Sequence, residues 1–153
     1  MQSLENRIPP PLVAMIFALA MWVLAFFDTL VALNSVLRMS SAGLFVLLGL
    51  AFALAGVISF KRSKTTVNPL RPSSASALVT GGVYKITRNP MYVGFVLFLL
   101  AWAAYLSSLA SLIVVFMFMV FIQRFQILPE ERALLSLFGQ EFKDYMQNVR
   151  RWL

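Results

Sequence analysis

The stretch MYVGFVLFLLAWAAYLSSLASLIVVFMFMVFIQ, residues 91–123, contains no charged side chain. A single helix of that length would be about 50 Å long, whereas the hydrocarbon core of a bilayer is about 30 Å thick. The segment YLSSLAS in its middle favours a tight turn between two shorter helices. We therefore predict helices over 90–107 and 108–128, the first beginning at Pro90 and the second ending just before Pro129.

Two further apolar segments precede this stretch. Residues 12–34 and 42–60 are each long enough to span a bilayer core at about 1.5 Å per residue. The polar residues at 34–41 predict a turn between them. Three glycines of the second segment fall on a similar helix face, where small residues allow close helix packing: Gly43, Gly49 and Gly56.

The composition is typical of a membrane protein. Of the 153 residues, 60% are hydrophobic and only 12% are charged, whereas a soluble domain carries about a quarter charged residues. The net charge of +7 would fit nucleic-acid binding in a soluble protein. Here the cations flank apolar segments, so lipid headgroups and membrane topology explain them, and we expect no nucleic-acid partner.

The chain contains neither cysteine nor histidine. This excludes disulfides, thiolate or imidazole metal ligands, and a cysteine or histidine nucleophile or base. Any chemistry must use carboxylates, cations, tyrosines, amides, backbone groups or a cofactor. We expect no metal site.

The basic residues predict the orientation of the chain. The linker over 61–90 contains lysines and arginines but no acid, and a second group of cations follows from Arg124 onward. Basic flanks favour the cytoplasmic side, and an even number of crossings places both groups there. The predicted fold class is therefore all-α: one integral-membrane domain over 1–153 with four transmembrane helices and both termini cytoplasmic.

Residues 129–153 have a different character. Pro129 and the two acids that follow it suit the positively polarised start of a helix. Gly139 is a plausible C-cap after RALLSLF, and QEFKDYMQNV would then form a second short helix with one apolar side. The segment is predicted to be a cytoplasmic amphipathic helix pair, of the kind that rests on a membrane surface.

Two motifs occur in order: LVTGGVYKITRNPMYVG, residues 78–94, and PEERALLSLFGQEFKDYMQNVRRW, residues 129–152. Together they resemble the isoprenylcysteine carboxyl methyltransferase and phospholipid methyltransferase superfamily, from Leu78 to the C-terminus. The resemblance implies a membrane-embedded methyltransferase that binds S-adenosylmethionine between the last membrane helices and the C-terminal segment. Asn89 stands where the family usually has histidine, so this position can form hydrogen bonds but cannot titrate.

By that resemblance, residues from both motifs would bind the cofactor: Gly81, Gly82, Val83, Tyr84, Asn89, Pro90, Tyr92, Glu130 and Glu131. Three residues are candidates for catalysis: Arg88, Glu131 and Arg124. Carboxylates suit the ammonium and ribose donors of the cofactor, and aromatic rings suit its adenine and sulfonium. The methyl acceptor would be hydrophobic or lipid-like, and a prenylcysteine-like carboxylate, a phospholipid amine and a thiol all stay open.

Two other classes of function also stay open. A small four-helix transporter would need an ionisable residue within the membrane, for which Asp28 is the candidate, although a polar helix contact is the favoured interpretation of that residue. A non-catalytic membrane scaffold would explain the helices but not the paired motifs. Arg88 and Arg124 would also suit lipid headgroups, and Tyr105 would suit the membrane interface.

Overall fold

The computed structural model describes residues 8–28, 34–63 and 76–153. Every regular element within these ranges is helical, which confirms the all-α class. The elements are α1, Pro10–Ala25; α2, Ser35–Arg62; a short 3-10 helix, Gly82–Lys85; α3, Pro90–Leu106; α4, Ala110–Ile122; a π-helical segment, Gln123–Ile127; and α5, Leu128–Asn148. The predicted end of the first helix and the central part of the linker fall on 29–33 and 64–75, outside the described residues.

Two helical runs are long and apolar enough to cross a membrane, judged by length and composition. They are α2 and the continuous run Ala110–Asn148, while α1 and α3 are apolar but shorter. The outer surfaces of the helices carry large apolar side chains: Met15 is 68% exposed, Leu47 67% and Phe116 65%. Because only two of the described helical runs are long enough to cross a membrane, four complete crossings stay a prediction, as does the orientation of the termini.

Helix α2 packs closely against α3 through glycines. A Cβ atom added to Gly49 would lie 3.2 Å from the carbonyl oxygen of Gly94, and one added to Gly94 would lie 3.0 Å from that of Gly49. Gly56 faces the first turn of α3 in the same way, whereas Gly43 has open space around it. The predicted close packing is confirmed for Gly49 and Gly56, and Gly43 takes no part in it.

Helix α2 begins earlier than predicted, so the turn expected over 34–41 is wrong. The Oδ1 atom of Asn34 accepts a hydrogen bond from the Val36 amide at 2.9 Å and caps the helix. The hydroxyls of Ser40 and Ser41 donate to carbonyl oxygens three residues earlier. These local hydrogen bonds satisfy the polar side chains within a helix.

The predicted end of the fourth helix before Pro129 is also wrong. Helix α4, the π-helical segment and α5 form one continuous run through the proline. Proline lacks an amide hydrogen and clashes with the carbonyl group one turn earlier in a regular α-helix. A wider π-helical turn lies directly before Pro129 and changes the backbone hydrogen bonds at this point. The helix can therefore continue through the proline.

Helix α5 is kinked at Gly139, which confirms the predicted break after RALLSLF. The glycine has φ 52° and ψ −118°, in the positive-φ region that favours glycine. Beyond the kink, Phe142 and Tyr145 are buried in a small core with Val79 and Tyr84. The apolar side of this second piece is therefore covered by the chain itself rather than left for a membrane surface.

Candidate active site

The first motif forms a corner that is bonded to the C-terminal end of the chain. The corner lies between the 3-10 helix and the start of α3 at Pro90. Thr87 is fully buried there, and its Oγ1 donates to the Arg151 carbonyl and accepts from the Asn89 amide, both at 3.2 Å. The corner therefore has a fixed position relative to residues 149–152, which we call the C-terminal strap.

Arg88 links this corner to both parts of the second motif. Its guanidinium donates to the Glu131 carboxylate at 2.8 Å and to the carbonyls of Val149 and Met146 at 2.6 and 3.1 Å. Its backbone amide donates to the Arg150 carbonyl at 2.9 Å. Charge-assisted hydrogen bonds of this kind are strong and hold both partners in one geometry.

Glu131 is shared by two arginines. Arg151 donates to its two carboxylate oxygens, Oε1 and Oε2, at 3.0 and 2.7 Å, and Arg88 also donates to Oε1. These acids follow Pro129, beyond the apolar part of the helical run. Burial raises the pKa of Glu131, but the hydrogen bonds from Arg151 and Arg88 outweigh it and hold the pKa below its usual value. Glu131 is therefore ionised, and its charge is matched within the chain.

Glu130, the neighbouring residue, has a different environment. Its Oε1 accepts a hydrogen bond from the Tyr92 hydroxyl at 2.6 Å, and no cation is paired with it among the described residues. Burial raises the pKa of Glu130 to about 8; the Tyr92 hydrogen bond opposes this rise, and repulsion from Glu131 adds to it. A buried carboxyl group with one neutral partner suits a cationic or hydrogen-bond-donating ligand.

The remaining cofactor candidates of the first motif are mostly engaged within the chain. The Asn89 Nδ2 atom donates to the Arg151 carbonyl at 2.9 Å. The buried Tyr84 ring meets the Phe60 ring edge-on, and Val83 packs in the same small core. Pro90 is buried at the start of α3, Gly82 has φ +62°, and a Cβ atom on Gly81 would meet nothing within 4 Å. Their cofactor roles stay predictions.

Two candidates lie outside this cluster of contacts. Arg124 is an exposed residue of the π-helical segment, and its catalytic role stays a prediction. Asp28 accepts hydrogen bonds from the Ser108 hydroxyl at 2.6 Å and from the Ala110 amide at 3.0 Å. The favoured interpretation of Asp28 as a polar helix contact is confirmed, because its carboxylate caps α4. The transporter alternative thereby loses the residue that motivated it.

Two residues near the paired acids are absent from the sequence-based predictions. Arg151 is one, because nothing in the pattern RRW predicts which acid it meets. The other is Gln126, which is 1% exposed and lies one helical turn before Glu130. Its Nε2 donates to the Ile8 carbonyl at 2.9 Å, while its buried Oε1 has no hydrogen-bond partner. An amide within the apolar run FIQRFQIL was the available signal.

The acceptor oxygens of Glu130 and Gln126 fit a ligand that is rich in N–H and O–H donors. The Gln126 Oε1 atom is a buried acceptor without a hydrogen-bond partner among the described residues, and the Glu130 carboxyl group accepts a hydrogen bond from Tyr92. Buried acceptors of this kind are normally paired, so a ligand that brings donors or positive charge would satisfy them. S-adenosylmethionine, with its ammonium, sulfonium and ribose hydroxyls, belongs to this chemical class.

The chain is similar in sequence to two named methyltransferases. Protein-S-isoprenylcysteine O-methyltransferase B of Arabidopsis thaliana is 33% identical over 107 residues, 68% of this chain and 53% of that protein. Methanethiol S-methyltransferase of Pseudomonas deceptionensis is 31% identical over 121 residues, 73% of this chain and 45% of that protein. The chain thus spans about half the length of the named methyltransferases that it matches.

The family follows from a wider match. The model of the phospholipid methyltransferase family matches residues 37–141, which include the first motif and the paired acids of the second, and the chain belongs to this family. An uncharacterized protein of Haemophilus influenzae is 44% identical over 63 residues, 41% of this chain and 100% of that protein. No solved structure matches the chain significantly. The resemblance inferred from the two motifs is confirmed.

Proposed function

We propose that this chain is an integral-membrane enzyme that transfers a methyl group from S-adenosylmethionine to a hydrophobic or lipid-like acceptor at the cytoplasmic face. The observation that carries the proposal is the buried Glu130 carboxyl group, held by Tyr92 beside the ion-paired Glu131. Membership of a methyltransferase family supports methyl transfer. The family and the Glu130 carboxyl group support each other, because a positively charged methyl donor needs hydrogen-bond acceptors or negative charge in its binding site.

The membrane part of the proposal rests on exposed apolar surface. Helices α1, α2 and α4 carry large apolar side chains on their outer faces, as expected where hydrocarbon replaces water. The chain would form one domain over 1–153, with four membrane helices and both termini cytoplasmic. In this arrangement the corner and the paired acids lie where a water-soluble donor meets a membrane-bound acceptor.

Glu130 and Glu131 would have different roles. When bound, S-adenosylmethionine supplies a methyl group activated by a sulfonium cation. Glu130 would accept hydrogen bonds from the ammonium group or ribose of the cofactor, with Tyr92 fixing the carboxyl group and Gln126 offering a second acceptor. Glu131 and Arg88 would act as positioning residues, because their hydrogen bonds tie the corner to the strap.

The acceptor would enter from the lipid side of the helices. The names of the relatives include a prenylcysteine O-methyltransferase and a thiol S-methyltransferase. A carboxylate or thiolate needs no general base, and neither does an amine that is already neutral, so a chain without histidine can serve each of these acceptors. Arg124, exposed in the π-helical segment that precedes the acids in the chain, would contact an anionic group of the acceptor.

The test is methyl transfer by the purified full chain. Protein in detergent is incubated with S-adenosylmethionine labelled on its methyl group and with total membrane extract, and the labelled product is identified. We expect a labelled hydrophobic product, lost in Glu130→Gln and retained in Glu141→Gln, which changes an exposed acid of α5. Equal labelling by the wild type and Glu130→Gln would refute the site, and no labelled product from folded protein would refute the function.

A further inference from the structure

A cavity lies at the end of the helices opposite to the paired acids. Its volume is about 270 Å³, and its lining residues are Trp22, Ala25, Phe26, Arg38, Tyr105 and Leu106. They come from the C-terminal ends of α1 and α3 and the N-terminal end of α2. Tyr105 and Tyr92 are about 20 Å apart along α3, so this cavity is separate from the candidate active site.

Arg38 is the charged residue in the described lining of this cavity. Its Cζ atom lies 5.7 Å from the centre of the Tyr105 ring, and that ring stacks on Trp102 at 5.4 Å with an interplanar angle of 12°. This cation–π contact holds the guanidinium in place. The Nε atom of Arg38 is nevertheless buried without a hydrogen-bond partner among the described residues, which is costly for a charged donor.

The position of Arg38 in its helix also favours an anion. Arg38 lies in the first turn of α2, where the helix dipole disfavours a positive charge. Asp28 is at the same end of the molecule, but its Oδ2 accepts from the hydroxyl of Ser108 and the amide of Ala110. An anionic ligand at Arg38 would supply the missing acceptor and offset the unfavourable helix dipole.

We propose that this cavity binds the phosphate group of an anionic phospholipid. The guanidinium fork suits phosphate oxygens. Trp22 and Phe26, 46% and 69% exposed, would contact the glycerol and the first acyl carbons. Free phosphate shares the charge chemistry but would make no use of this apolar wall, so a lipid is the favoured source. The lipid would come from the leaflet opposite to the one that the catalytic site faces.

The test is native mass spectrometry of the full chain in detergent, titrated with phosphatidylglycerol in the absence of S-adenosylmethionine. We expect Arg38→Gln to bind the lipid about fivefold more weakly, the usual effect of one cation near an anionic surface. Lys143→Gln removes the same charge from an exposed position of α5 and should bind like the wild type. Unchanged binding in Arg38→Gln, or an equal loss in Lys143→Gln, would overturn the proposal.

A second variant tests the apolar lining formed by Trp22 and Phe26, and its result does not depend on whether Arg38→Gln folds. Phe26→Ser changes an exposed ring, so it should fold and bind phosphatidylglycerol more weakly. Full binding by this variant would contradict the lipid assignment. Glycerol 3-phosphate should compete poorly with the lipid. Competition at equal concentration would show that the site takes a free phosphate and would overturn the lipid as its source.

Discussion

Adjacent glutamates at 130 and 131 have opposite electrostatic environments. Consecutive residues of an α-helix point about 100° apart, so Glu131 meets the arginines of the corner and the strap while Glu130 meets Tyr92 on α3. The pKa is lowered at Glu131 and raised at Glu130. This difference supports the proposed roles, in which Glu131 holds the corner and the strap together and Glu130 binds a cationic ligand.

Cofactor binding should depend on pH through Glu130. Its pKa of about 8 in the free protein means that the carboxyl group is mostly protonated at neutral pH. A cationic ligand requires the ionised form, so binding weakens as pH falls below 8, roughly tenfold for each unit below the pKa. Calorimetric titration between pH 6 and 8.5 should show this loss together with proton release.

The matched variant for this measurement is Glu130→Gln. It has no titrating group at the position, so any remaining pH dependence belongs to the amino group of the ligand, which itself titrates near pH 8. We expect a much flatter profile below pH 8 than in the wild type. The same slope in both proteins would show that Glu130 does not bind the charged ligand.

Replacement of Glu131 should destabilise the chain itself. Glu131→Gln leaves Arg88, whose side chain is 10% exposed, without its carboxylate partner. Breaking a buried ion pair from one side costs about 3 kcal/mol or more, and Arg151, whose side chain is 31% exposed, adds less. Denaturant unfolding in detergent should show this loss for Glu131→Gln and none for Glu141→Gln. A variant as stable as the wild type would contradict the positioning role.

At the scale of elements, the close contact between α2 and α3 sets the position of Tyr92. Gly49 and Gly94 allow the two backbones to approach, and Tyr92, in the first turn of α3, reaches Glu130. The glycine pattern was visible in the sequence because small residues repeat along one helix face. The sequence did not reveal the partner helix, because a glycine pattern does not indicate which neighbouring helix the glycines contact.

Substituting glycines with alanine should distinguish the effect of helix packing on stability from the effect of helix propensity. A Cβ atom in Gly94→Ala would lie 3.0 Å from a backbone oxygen of α2 and 3.2 Å from the Cβ atom of Ala53. We expect a loss of about 1–3 kcal/mol in unfolding free energy from this overpacking. Gly43→Ala has open space and should be neutral or stabilising by up to about 1 kcal/mol. Equal effects at the two positions would contradict the close approach.

Two errors in the predicted elements have a common origin. At the start of α2, Asn34 accepts a hydrogen bond from a backbone amide, and Ser40 and Ser41 donate hydrogen bonds to backbone carbonyls. Such polar side chains favour a turn and a helix start about equally. The continuous helix through Pro129 depends on a π-helical turn. Residue propensities do not encode either choice, because neighbouring structure decides it.

At the scale of the whole molecule, the fold brings the two motifs together across the chain. Both the meeting of the corner with the paired acids and the break at Gly139 were predictable from motif spacing and glycine chemistry. The strap could not be predicted, because Arg151 and Trp152 contact residues far away in sequence. Gln126 was missed because an isolated amide in an apolar helix has several possible roles.

The proposed topology can be tested by labelling single cysteines, since the chain has none of its own. Cysteine at Lys85 and at Gln140, both exposed near the site, should react with an impermeant reagent from the cytoplasmic face of membrane vesicles. Cysteine at Leu109, exposed in the turn between α3 and α4, should react from the other face. Labelling of the first two positions from opposite faces would contradict the single-site arrangement.

The decisive measurement is the affinity of the purified full chain for S-adenosylmethionine in detergent at pH 8. We expect micromolar binding by the wild type and by Glu141→Gln. Glu130→Gln should bind at least about tenfold more weakly, because a hydrogen bond to a charged group contributes about 1.5–3 kcal/mol. Binding of equal strength in the wild type and Glu130→Gln, or no binding by folded wild type, would contradict the proposal that Glu130 belongs to a methyl-donor site.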